Sequence, residues 1–272
     1  MRPPVRHAHL QLHRRGHRGG AILPHRSIWS LRLPKRRLAG GVLIALAFTL
    51  ALAWLQPGIA TFWGQQLVWW MQRLALPGQF AGPAIGEPTL FSLFSLPVPM
   101  IDVHLRDAGP LEPAAHALAA VAVWVMAGWL PDSAKPAAFL LRFGVLIHGA
   151  SVVYFLLWPA SFPHSLISHT GAGLRQAWAL MLLTPWLHLS TYYLFPFAVW
   201  QRVVLTAATL VFLFVLAPLQ YATHAALLYL SGLILMPLLH LLFGVMVPIL
   251  GFVALYGWGM SWHDPAQETR EF

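Results

Sequence analysis

Long apolar runs separated by short polar or proline-containing breaks dominate the chain. A transmembrane helix needs about 20 consecutive, mostly apolar residues. The first such run is Leu38–Gln56, LAGGVLIALAFTLALAWLQ, and Pro57-Gly58 is expected to end it. Between 61 and 78 the pattern turns amphipathic. Phe62, Leu67, Trp70 and Leu74 recur at helical spacing, with Gln65, Gln66 and Arg73 elsewhere. That pattern predicts a helix lying in the membrane interface, where Trp is favoured. From Met100 the period becomes two: Ile101, Val103 and Leu105 alternate with Asp102, His104 and Arg106, which predicts a strand. Pro97 and Pro99 make the run before it irregular.

Further spans are predicted at about 115–130, 137–158 and 177–195, with residues 159–176 as a polar loop. Residues 203–262 carry no Asp, Glu, Lys or Arg. They fit three spans, about 203–220, 222–241 and 243–261. The alternative is two spans plus a broken or re-entrant segment, because Pro237, Gly244, Pro248 and Gly251 interrupt the last part. The expected fold class is an all-α polytopic membrane bundle of six or seven transmembrane helices, with a small extracytoplasmic cap. The expected organisation is a basic arm at 1–37, an anchor at 38–56, the cap at 57–114, a helical bundle at 115–262 and a polar tail at 263–272. No pair of matching interrupted helices is visible in two halves, which gives an inverted-repeat transporter little support.

Composition agrees with this pattern. Apolar residues make up 58% of the chain and charged residues 9%, against about 25% charged in an ordinary soluble domain. Such a chain cannot cover its surface with water-compatible groups, which excludes the soluble globular and disordered classes. There is no cysteine, which excludes disulfides, thiolate metal sites, iron–sulfur clusters and cysteine nucleophiles.

The net charge of +9 is local. Ten of the 17 basic residues lie within the first 37, where no Asp or Glu occurs. That arm runs straight into an apolar span, so it is read as a cytoplasmic orientation signal ahead of an uncleaved anchor. No nucleic-acid partner is expected. Lys135, Arg142 and Arg202 then fall inside, while the acidic cap (Glu87, Asp102, Asp107, Glu112) and the 159–176 loop fall outside. The expected location is the bacterial inner membrane.

Three sets of residues could carry chemistry. The 159–176 loop offers His164, His169 and Arg175, with Gly171 and Gly173 giving backbone freedom. A histidine can act as a general base and an arginine can clamp an anion, so this set could meet a lipid-linked or anionic substrate at the outer face. The same residues also suit an ordinary outer loop. His148 and His188 sit near the middle of spans, where polar groups tend to face the bundle interior. They could be axial haem ligands or a metal pair, or imidazoles bonded across helices. His116, His224 and His240 lie nearer span ends and read as interfacial. Tyr192, Tyr193 and Trp200 flank Pro196. They form either an aromatic anchor or a docking surface for another membrane protein.

No Asp or Glu falls inside a predicted span, which argues against an intramembrane aspartyl protease and a carboxylate proton relay. HExxH, Walker A and GxSxG motifs are absent. The stretch His148-Gly-Ala-Ser151 is similar to the Gly-x-Ser-Gly of rhomboid proteases, but Val152 replaces the final glycine.

Four features resemble the small polytopic membrane proteins that accompany bacterial exosortases, the sorting enzymes of the envelope. They are the basic arm with its anchor, the outer cap, HTGAGLRQAW (His169–Trp178) and LTPWLHLSTYYLFPF (Leu183–Phe197), together about half of the chain. An exosortase itself needs a catalytic cysteine, so the resemblance implies an accessory subunit and not the transpeptidase. The expected function is a non-catalytic accessory or assembly protein of an envelope protein-sorting or export system. Its expected partners are membrane lipids and another integral membrane protein, with no cofactor and no metal. The alternatives are a cofactor-free membrane enzyme acting at the outer face, and a haem- or metal-binding membrane protein.

Overall fold

The structure, a computed structural model, describes residues 35–81, 97–105, 109, 111–192 and 197–262. The chain divides into two compact units, Met1–Ala39 and Gly40–Phe272. Of the first, only the opening turn of the first helix is described. The basic arm up to residue 34 and the tail from 263 lie outside the described residues, as do Glu87, Arg106 and Asp107.

Six long helical runs make up the described chain. They are α1 (Lys35–Arg73), α2 (Glu112–Gly128), α3 (Lys135–Leu157), α4 (Leu166–Tyr192), α5 (Val199–Ser231) and α6 (Leu233–Met260). Two short strands, β1 (Gly78–Ala81) and β2 (Met100–Val103), pair antiparallel between α1 and α2, with Gly78 opposite Val103. Four helical stretches are long and apolar enough to cross a membrane: Leu38–Arg73, Asp132–Leu157, Val199–Ser231 and Leu233–Met260. Their outward faces are apolar. Leu43, Leu50 and Trp54 on α1, Phe139 and Leu146 on α3, and Val211 and Leu230 on α5 are all exposed. A helical bundle that turns such residues outward suits a lipid surround.

The main core lies between the second half of α1, the strands, α4 and α5. Trp63 and Leu67 of α1, Ile101 and Val103 of β2, Leu174 and Trp178 of α4, and Leu213 and Tyr221 of α5 are buried there together. The alternation predicted from Met100 is present, with Ile101 and Val103 turned in and Asp102 half-exposed. β2 packs against α4.

Three boundaries differ from expectation. The break at Pro57-Gly58 is absent. α1 runs through Pro57 for 39 residues, about 58 Å at the usual rise, and the predicted interfacial helix is its second half. A proline costs a helix one N–H bond and a ring clash, but apolar helices carry such defects where other groups satisfy the freed carbonyls. The polar loop is also shorter. Only Trp158–Ser165 link α3 to α4, and His169, Thr170, Gly171, Gly173 and Arg175 are helical. Finally, residues 203–262 form two helices, closer to the alternative of two spans with an interrupted last part than to three spans. α5 continues through Pro218 to Ser231, and the chain reverses at Gly232 (φ 67°, ψ −178°). Only glycine adopts that conformation without strain. α6 opens as a 3-10 turn at Leu233–Leu235, passes through a π-helical stretch at Leu239–Met246, and ends as α-helix over Val247–Met260. Pro248, which has no N–H to offer Gly244, stands two residues past the π stretch.

Candidate functional site

Successive helices joined by short links run antiparallel. The start of α2, the end of α3, the start of α4 and the α5–α6 turn therefore share one end of the bundle. Five histidines gather there in two groups.

The first group spans α2, α3 and the α5–α6 turn. His116 Nδ1 and His148 Nε2 are 3.1 Å apart, with ring centroids at 5.0 Å. His116 Nε2 faces the Ser231 carbonyl at 3.2 Å and Glu112 Oε1 at 4.0 Å. Glu112 opens α2 one turn before His116. Its carboxylate approaches the Gly232 turn, and a Cβ there would stand 2.9 Å from Oε1. The sequence pattern left Glu112 in the cap; the structure makes it the first residue of a helix, a position that suits a negative charge. Ser151, one turn beyond His148 on α3, donates to the Ile234 carbonyl at 2.6 Å. Its hydroxyl proton is committed to an acceptor with no basic character, which leaves the rhomboid-like reading of His148–Ser151 without a general base. His148 Nδ1 is buried and has no hydrogen-bond partner among the described residues.

The second group joins α4, α5 and α6. His169 Nε2 and His224 Nδ1 are 3.1 Å apart with stacked rings. Such a bond needs one ring nitrogen to donate and the other to accept, so the shared edge carries a single hydrogen. The His240 ring stands edge-on to His169, with centroids at 5.7 Å. Tyr221 lies 5.8 Å from His169 and 5.1 Å from His224. Gly173 makes this arrangement possible. A Cβ at Gly173 would overlap the Tyr221 side chain at Cζ, Cε1 and the hydroxyl oxygen. The bare backbone there lets α5 press Tyr221 onto α4, and His224, one turn on, then meets His169. The expected role of Gly173, backbone freedom in a loop, is replaced by close helix packing.

The residues singled out for an outer-face reaction converge only in part: His164 lies near enough to His169 to act on it electrostatically, but Arg175 does not share that face. His169 is buried against His224, whereas His164 is exposed and edge-on to Phe162 at 5.5 Å. Arg175 is exposed on α4. It lies six residues after His169, about 240° around the helix, and so on another face. His148 and His188 have separate partners. His188 Nδ1 meets Thr206 Oγ1 at 3.0 Å, and its ring lies on Phe252 at 4.9 Å. Among the described residues, no group of three or more His, Cys, Asp or Glu could hold a metal ion. Trp200 is exposed at the other end of the bundle and stacks on Trp262, which meets Trp258 edge-on. The side chain of Tyr192 and all of Tyr193 lie outside the described residues.

The sequence reading took His116, His224 and His240 as interfacial, but the structure turns all three into the bundle against other imidazoles; Tyr221 escaped that reading altogether. A usable signal was present. His169 and His240 each precede a glycine by one helical turn, at Gly173 and Gly244. A small residue stacked beside an imidazole marks a face where another helix comes close.

No protein-family model, no curated protein and no solved structure matches the chain.

Proposed function

We propose that the chain is a six-span protein of the bacterial inner membrane, with both termini cytoplasmic, that serves as a non-catalytic accessory or assembly subunit of an envelope protein-sorting or export system. One observation carries the non-catalytic part. The candidate base turns into the bundle and pairs with another imidazole (His169 with His224), while the anion clamp Arg175 is exposed on another face of α4 and His164 is exposed in the link before it. An outer-face hydrolase or transferase needs its base and anion clamp within reach of one substrate. The inner-end stack of Trp200, Trp258 and Trp262, where α5 begins and α6 ends, offers an aromatic surface where a partner subunit can seat. The six-span count takes α2 and α4 as spanning beside the four longest apolar stretches.

The test is purification of a tagged full chain from its native host in mild detergent, with mass spectrometry of what co-elutes. A stoichiometric integral membrane partner that survives stringent washing is the expected result, and Trp200→Ala should weaken its retention. A monodisperse chain with no partner overturns the accessory reading. The outer-face enzyme then becomes the better account, with His164, His169 and Arg175 as the first substitutions.

A further inference from the structure

The protons on the first histidine group can be assigned from its partners. His116 Nε2 faces the Ser231 carbonyl, which only accepts, so Nε2 carries a hydrogen. A neutral His116 then has a bare Nδ1. The 3.1 Å bond between the rings must run from His148 Nε2–H to His116 Nδ1. That leaves His148 Nδ1 as a bare lone pair, buried, with no donor among the described residues. Buried polar atoms are nearly always satisfied, and one that is not calls for an account. At the other end of the array stands a carboxylate, Glu112 Oε1, 4.0 Å from His116 Nε2.

We propose that Glu112, His116 and His148 form a proton-accepting relay, and that its acceptor atom is His148 Nδ1. The ligand of this site is a proton. It bonds to the lone pair of His148 Nδ1. The proton already on His148 Nε2 then passes along the inter-ring hydrogen bond to His116 Nδ1. His148 ends neutral, with its hydrogen moved from Nε2 to Nδ1. The positive charge ends on His116, whose two N–H groups face His148 and the Ser231 carbonyl. One proton enters, only N–H bonds change, and the charge comes to rest beside the Glu112 carboxylate. Without the relay, the charge would stay on a buried ring with no counter-ion, a costly state.

The neighbouring ionisable groups leave this assignment intact. On the elements packed around α3, Lys135 pairs with Asp132 at 2.9 Å. Arg142 lies over the Trp124 ring. Tyr154 shares a hydrogen bond with Ser161, and His240 stands against His169. The α5–α6 turn contributes only carbonyls, that of Ser231 to His116 and that of Ile234 to Ser151.

The experiment is nuclear magnetic resonance of the full chain in detergent micelles, with 15N-labelled histidine, followed as the pH is lowered. His116→Gln and His148→Gln identify the two rings. At neutral pH, His148 is expected with its hydrogen on Nε2 and Nδ1 bare, and His116 with its hydrogen on Nε2. On acidification, the doubly protonated ring should be His116. Glu112→Gln should weaken proton uptake, because the carboxylate that faces the charged His116 is then gone, while the neutral tautomers stay as they were. A His148 hydrogen on Nδ1 at neutral pH overturns the relay, and so does a charge that settles on His148. Uptake indifferent to Glu112→Gln overturns the role of the carboxylate and with it the relay. Both wild-type tautomers are read without any variant of Glu112, so a misfolded Glu112→Gln protein still leaves the proposal decided.

Discussion

Trp63 donates its indole N–H to the backbone carbonyl of Phe214 at 2.9 Å, joining α1 to α5. Phe214 is the residue whose carbonyl an N–H at position 218 would take in a regular helix, and position 218 is proline. The indole stands in for the missing donor. The rings reinforce the join, with Phe62 stacked on Phe214 at 4.7 Å and Trp63 at 6.4 Å. An unpaired carbonyl in a dry, apolar bundle is expensive. One side chain on α1 thus both satisfies α5 and fixes where α1 crosses it.

Trp63→Phe keeps an aromatic ring but removes the donor and part of the indole's bulk. The Phe214 carbonyl is then orphaned, at a cost of about 1–3 kcal/mol. In a Pro218→Ala background the residue at 218 regains an N–H that can close the helical bond, so the same substitution should cost much less. Reversible unfolding in mixed detergent micelles measures both. An equal cost in the two backgrounds would show that Trp63 acts by packing alone.

Gly173→Ala should destabilise the bundle by about 1–3 kcal/mol, the usual range for an extra methyl in a packed interior. The new methyl meets the Tyr221 ring and not solvent. If Tyr221 moves, the His169–His224 pair moves with it, because Tyr221 and His224 share one face of α5. Adding Tyr221→Ala should relieve most of the Gly173→Ala penalty. Strictly additive penalties from the two substitutions would place the clash elsewhere.

How much of this could be read in advance depends on how local the cause was. The apolar runs marked the helices, and the two-residue period at Ile101 and Val103 marked β2, because both signals come from neighbours in the chain. Pro57-Gly58 misled, since a proline that ends a helix in water can be carried through one in an apolar surround. His169 misled for another reason. Its neighbours Ser168, Thr170 and Gly171 read as a loop, but its burial is decided by Tyr221 and His224, about fifty residues away in sequence. The proton assignment of His116 and His148 rests on Ser231, in a third helix. No local pattern encodes such a meeting, although the glycine one turn after His169 hinted at it.

Gly232→Ala tests the α5–α6 turn. The backbone there (φ 67°, ψ −178°) is strained for any residue with a Cβ, at about 1–3 kcal/mol. The added methyl would also stand 2.9 Å from Glu112 Oε1. Glu112→Ala in the same chain removes the second effect and leaves the first. The double variant should therefore remain less stable than Glu112→Ala alone in thermal unfolding. Equal melting temperatures for those two would mean that the turn relaxes freely.

The crossing pattern is open to a direct test because the chain has no cysteine. Each introduced thiol is then the only one present. Ser133 lies in the α2–α3 link, Ala160 in the α3–α4 link and Ser261 just after α6, and all three are exposed. With a basic arm held inside and six crossings, Ser133→Cys and Ser261→Cys should react with a membrane-impermeant maleimide only after the cells are permeabilised. Ala160→Cys should react in intact cells. The most exacting element is α2, whose 17 residues reach about 25 Å against a hydrocarbon core of about 30 Å. If α2 lies along the surface instead of crossing, only five spans remain. Ser133→Cys and Ser261→Cys would then label from outside, and Ala160→Cys from inside. That reversal would also carry His148 to the cytoplasmic end while His116 stayed with α2 outside, so it would separate the His116–His148 pair and overturn the relay.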